Sequence, residues 1–204
     1  MEIKDINSEL NGKNIHYLSF ERGTSRSVIL LHGSESDSYG WSNIDALRKI
    51  SQWGFNVYAC DLPGSGKSEK NTIYSYGSDP SRGAKFIKDF ADSVYAASLY
   101  LIAPSTSAGL ALKSAIDYPN LIASVIIIGG LGVDHIAGQL NKLNKPVLIL
   151  WGSNDDVVPI SHGARYHDLI ASSTFIKING AGHSVQFDKP DAFFNSVKNF
   201  LSEK

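Results

Sequence analysis

Ser105, Asp155 and His183 each follow an apolar run closely, and each sits among small residues. Together the three types make a hydrolytic relay: a hydroxyl to attack, an imidazole to take its proton, a carboxylate to orient the imidazole. The sharpest of the three signals is Leu101-Ile102-Ala103-Pro104-Ser105-Thr106-Ser107-Ala108-Gly109-Leu110-Ala111. An apolar run stops at small residues around a serine, and a helical pattern starts at once. A strand turning that tightly into a helix lifts one side chain out at the carboxyl edge of a sheet, with free helix N–H groups beside it.

Each assignment has a competitor. Ser105 alone also reads as a helix N-cap. Ser107 has small-x-Ser-x-Gly spacing, but choosing it places Pro104 inside a central strand, where proline removes a ladder donor. Asp155 lies in Gly152-Ser153-Asn154-Asp155-Asp156, good turn chemistry in its own right, and Asp156 is an adjacent alternative. His183, in Gly180-Ala181-Gly182-His183, also reads as a surface-loop histidine. Acyl transfer further needs N–H donors for an oxyanion. The backbone N–H groups of Ser34, after Leu30-Leu31-His32-Gly33, and of Thr106 are the candidate pair, with His32 structural.

The elements that must position these groups are legible in outline. Asn11-Gly12 between two alternating segments predicts an N-terminal antiparallel hairpin over Glu2–Leu10 and Lys13–Phe20. Further strands are expected at Ser27–Leu31, Asn56–Cys60, Leu99–Ala103, Ser124–Ile128, Val147–Trp151 and Thr174–Ile178. Helices are expected at Trp41–Ser51, Ala84–Ala97, Thr106–Tyr118, Val133–Leu140, Ser161–Ile170 and Pro190–Leu201. Several strands are unbroken apolar runs, the mark of burial on both faces. The pattern predicts an α/β fold: a mostly parallel central sheet with helices on both faces. Tyr39, Tyr74 and Tyr76 are candidates for the rim of the site.

Composition bounds the function classes. The 204 residues fit one domain, 1–204, with a proper core. A formal net charge of −1 provides no basic footprint for nucleic acid or an acidic membrane. Cys60 is the single cysteine, so no intramolecular disulfide is possible, and with no secretory h-region after Met1 the expected home is cytoplasmic. No set of side chains has metal-ligand spacing, and neither a metal nor a cofactor is expected. Gly64-Ser65-Gly66-Lys67-Ser68 looks like the end of a phosphate-binding loop. Its first required glycine is Asp61, and Pro63 lacks an N–H for the cradle.

From Ser27 to Leu201 the motifs resemble the α/β-hydrolase superfamily. Leu30-Leu31-His32-Gly33 resembles its oxyanion segment, and Asp61-Leu62-Pro63-Gly64-Ser65-Gly66-Lys67-Ser68 its D-x-P-G-x-G-x-S turn. The nucleophile region resembles G-H-S-M-G-G; Ser105 in that place puts Ala111, Ala115, Tyr118 and Pro119 where the family has them, and Ser107 does not. Gly152-Ser153-Asn154-Asp155 with Pro159 resembles the acid turn, which singles out Asp155. Gly180-Ala181-Gly182-His183 with Pro190 resembles the histidine loop. The usual glycines flanking the nucleophile are Ala103 and Ser107 here. The Pro104-Ser105-x-Ser107 form resembles the short abhydrolase-domain-containing protein 14, or CIB-like, group. The resemblance implies hydrolysis of small acyl esters, or acyl transfer, through an acyl-serine. Only about eighteen residues separate Ile128 from Val147, so no cap domain is expected there. The rival readings are an acyltransferase or deacylase with the same triad, and a catalytically silent binding module on this fold.

Overall fold

The computed structural model of the protein describes residues 2–34, 36–74 and 79–202. Eight strands form one sheet in the order β1-β2-β4-β3-β5-β6-β7-β8. The hairpin strands β1 (Lys4–Leu10) and β2 (Lys13–Phe20) turn at Asn11-Gly12, both in the left-handed region, as that turn requires. β2 also runs antiparallel to β4 (Asn56–Cys60). The other neighbours pair in parallel: β3 (Arg26–Leu30), β5 (Ser98–Pro104), β6 (Ile122–Ile128), β7 (Val147–Gly152) and β8 (Ser173–Ile178).

The unbroken apolar strands feed two cores by simple alternation. Ile29, Leu101, Ala103, Ile127 and Ile149 point to one face. There α3 (Ser81–Ser93), α4 (Ala108–Asp117) and α5 (Ile160–Leu169) bring Phe86, Leu110 and Tyr166. Val28, Leu30, Ile102, Ile128 and Leu150 point to the other, against Trp41, Leu47 and Phe193 from α1 (Ser38–Asn43), α2 (Ala46–Ser51) and α7 (Pro190–Ser202). A short α6 (Val185–Asp188) precedes α7. Among the described residues no helix is long and apolar enough to cross a membrane.

Three expectations are corrected. The helix expected over Trp41–Ser51 is two helices, broken at Asp45, whose φ is 58°. The helix expected at Val133–Leu140 is a 3-10 stretch, Val133–Lys142, which begins beside Gly132 in the left-handed region. The stretch packs against α4 and α5. Tyr74 is fully buried and donates its hydroxyl to Asp89 at 2.7 Å, so it belongs to the core and not to the rim. Tyr39 packs on His16 and bonds Asp5, while Tyr76 lies outside the described residues.

The phosphate-loop lookalike holds an internal anion instead. Asp61 accepts N–H bonds from Lys67 at 2.8 Å and Ser38 at 2.7 Å, and its second oxygen also faces His16 Nδ1 at 2.8 Å. Burial works to raise the Asp61 pKa; these donors outweigh it and hold the carboxyl below its usual range. A Cβ at Gly66 would fall 2.1 Å from the Asp61 carboxylate, which explains glycine at that place. The turn thereby fixes the start of α1, one wall of the cleft described next.

Candidate active site

The chain order reverses direction at β3, with β4 on one side and β5 on the other. The crevice beyond such a switch point is where open α/β sheets bind ligands. Ser105 leaves the carboxyl end of β5 there. Its φ of 50° lies in the left-handed region, and the chain passes through a 3-10 turn, Ser105–Ser107, into α4. A non-glycine residue held so costs about 1–3 kcal/mol and persists only where its surroundings over-determine it. Here the Ser105 carbonyl is fixed by the Leu131 N–H at 2.9 Å. Pro104 is the last residue of β5, where its missing N–H interrupts nothing further along the strand.

The loops after β7 and β8 bring in the other two groups. They are tied together by Asn154 N–H to the Ala181 carbonyl at 2.9 Å and Gly180 N–H to Ser153 Oγ at 2.8 Å. Asp155 Oδ1 accepts the N–H groups of Val157 at 3.0 Å and Val158 at 2.8 Å. Its Oδ2 lies 2.9 Å from His183 Nδ1, and His183 Nε2 lies 3.0 Å from Ser105 Oγ. The Asp155 side chain is wholly buried and the imidazole is 18% exposed, so one end of the relay is dry and the other reaches the surface.

The two competitors fall elsewhere. Ser107 Oγ is buried and donates to the Pro104 carbonyl at 2.7 Å, back along its own turn. Asp156 is exposed, and the carboxylate facing His183 is that of Asp155.

The candidate oxyanion residues meet in space. Ser34 Oγ donates to Thr106 Oγ1 at 3.3 Å, which sets the turn after β3 beside the first turn after β5. Among the described residues the backbone N–H groups of Ser34 and Thr106 donate to no carbonyl. His32 anchors this turn: its Nε2 accepts the Leu62 N–H at 2.9 Å and its Nδ1 faces the Gly33 carbonyl at 2.8 Å. Accepting at Nε2 and donating at Nδ1 requires a neutral ring. Burial agrees, lowering the His32 pKa against the Gly33 bond and the Asp61 charge.

One functional residue escaped the sequence reading. Gly129 directly follows β6, between the strands that lead to Ser105 and Asp155, with φ 53°. A Cβ there would come within 3.0 Å of the His183 ring and 3.2 Å of Asp155 Oδ2. Its signal was present: an isoleucine run ending in Gly129-Gly130 at a carboxyl strand end. Gly129→Ala is expected to displace the imidazole and cost about 100-fold in kcat/KM on any ester that the protein cleaves. The left-handed backbone adds about 1–2 kcal/mol, read as a melting temperature lower by several degrees. A well-folded variant with full activity would contradict this reading of Gly129.

Ser34 lines two cavities. A cleft of about 100 Å³ opens over Ser105 and His183, with Trp41 and Phe187 on its walls. A roomier one of about 370 Å³ is lined by Thr106, Leu110, Pro80 and His135.

The family model for the alpha/beta hydrolase fold matches residues 26–140 and 132–190, and the chain belongs to that family. Among its relatives is a rat protein described as putative protein-lysine deacylase ABHD14B, 25% identical, covering all of this chain and 98% of the relative. Zebrafish protein ABHD14A is 29% identical, covering 86% of this chain and 64% of its own length. A Thermoplasma acidophilum hydrolase described as CIB-like superposes over the whole of both chains, with a TM-score of 0.96 and 28% identity.

Proposed function

We propose that this protein is a serine hydrolase that cleaves small carboxylic esters through an acyl-serine intermediate. The observation that carries the reading is the unbroken chain from Ser105 Oγ through His183 to Asp155, at 3.0 Å and 2.9 Å. His183 Nε2 takes the Ser105 proton as Oγ bonds to the substrate carbonyl carbon. The carbonyl oxygen, now negative, is held by the Ser34 and Thr106 N–H groups. The bond to the leaving oxygen breaks, and His183 returns the proton to that oxygen. Water then gives a proton to His183 and attacks the acyl-serine; Ser105 recovers its proton and a carboxylic acid departs. This sequence consumes an ester and water and needs no cofactor.

The second reading is removal of an acyl group from an amine, favoured by the description of the full-length rat relative. The relay is the same, with nitrogen as the leaving atom. A panel of p-nitrophenyl esters from acetyl to octanoyl is expected to show a pre-steady-state burst, with kcat/KM highest for the short acyl groups. Turnover without a burst at any acyl length, together with no acylated Ser105 by mass spectrometry, contradicts the proposal. Adding an acyl-lysine peptide, with and without coenzyme A, separates hydrolysis from acyl transfer by the product formed.

A further inference from the structure

The chemistry of the relay says which part of a substrate enters the cleft over Ser105 and His183. This argument rests on the acyl-serine reading above. The leaving atom must receive its proton from His183 Nε2, so it lies on the imidazole side. Ser105 and His183 both line the 100 Å³ cleft, and neither lines the 370 Å³ cavity. The leaving group therefore enters the smaller cleft.

The smaller cleft is not a bland one. Gln186 lines it, is only 3% exposed, and its Oε1 has no hydrogen-bond partner. That oxygen is sealed from solvent and makes no bond that a turn of the amide would break. The χ3 torsion of glutamine is broad, so a half-turn of the amide, which exchanges its oxygen and nitrogen, would present the oxygen to the cleft with no backbone movement. Asp37 lines the same cleft, with Oδ1 holding the Tyr39 N–H at 2.9 Å. No lysine or arginine lines the cleft among the described residues. Around the cleft stand an acceptor amide, a carboxylate and two aromatic walls.

We propose that Gln186, seconded by Asp37, is a specificity residue for the leaving group, selecting alcohols or amines that carry a primary ammonium head on a short hydrocarbon stem. The stem packs on Trp41 and Phe187, and the head donates to Gln186 Oε1 and to the Asp37 carboxylate.

The test uses three acetates that share the acyl group and differ in the leaving group: 4-aminobutyl, 4-hydroxybutyl and pentyl. The wild-type protein is expected to rank them in that order, with the amino ester about tenfold or more above the pentyl ester in kcat/KM. Because the reading is a ratio within one enzyme, a loss of folded protein cancels. Gln186→Met, close in shape, is expected to cut the amino-to-pentyl ratio about tenfold. Asp37→Asn keeps the helix cap and is expected to lower only the amino-to-hydroxy ratio, by about threefold. A wild-type ratio near one, or an unchanged ratio in Gln186→Met, overturns the proposal. Fluorophosphonate labelling of Ser105 separates the failures. A flat ratio with Ser105 labelled overturns the leaving-group assignment alone; a flat ratio with Ser105 unlabelled overturns the acyl-serine reading as well.

Discussion

Replacing Ser105 by alanine is expected to lower ester turnover about 10⁴-fold or more, to the background that the remaining N–H donors sustain. Ser105 Oγ is the hydroxyl that faces the imidazole, at 3.0 Å, whereas Ser107 spends its proton on the Pro104 carbonyl. Ser107→Ala is therefore expected to retain activity within about tenfold, its loss being one buried hydrogen bond worth about 1 kcal/mol of stability. A steady-state assay of the two variants side by side decides the matter. Equal losses, or a larger loss from Ser107→Ala, would place the nucleophile wrongly.

The second large effect belongs to Asp155→Asn, expected to cost about 10⁴-fold in kcat while leaving the fold intact. Asp155 Oδ1 is committed to the N–H groups of Val157 and Val158, and an asparagine keeps that arrangement with its own oxygen. Its amide nitrogen must then face His183 Nδ1, where Asp155 Oδ2 now accepts. Nδ1 becomes the acceptor, the proton moves to Nε2, and a protonated Nε2 cannot take the Ser105 proton. The neighbouring Asp156→Asn is the control: that side chain is exposed, and a change within about twofold is expected. Activity measured across pH should show the Asp155→Asn loss throughout the neutral range. Recovery of near-wild-type kcat there would show that the carboxylate does not set the tautomer.

How far the sequence revealed this arrangement depends on the kind of constraint. The strands were legible because burial on both faces leaves unbroken apolar runs such as Val125–Ile128. Ser105 was legible for a related reason: a strand that stops at small residues and restarts as a helix has few conformations open to it. The choice between Asp155 and Asp156 was open to spacing alone, because two adjacent carboxylates differ only in where a turn aims them. The N–H groups of Val157 and Val158 settle that aim. The break at Asp45 was hidden because its left-handed conformation is one that aspartate tolerates within an otherwise helical pattern. Gln186 and Gly129 were missed because their meaning is wholly spatial. One is a buried amide without a partner, the other a space that the imidazole needs.

The central claim is that Ser105 forms a covalent bond to its substrate, and the most direct test locates that bond. The native protein is treated with a fluorophosphonate, digested, and its peptides read by tandem mass spectrometry. The account predicts one phosphonylated residue, Ser105, with labelling abolished in Ser105→Ala and strongly slowed in His183→Ala. A label on Ser107, or no label on a folded protein that still turns over esters, would contradict it.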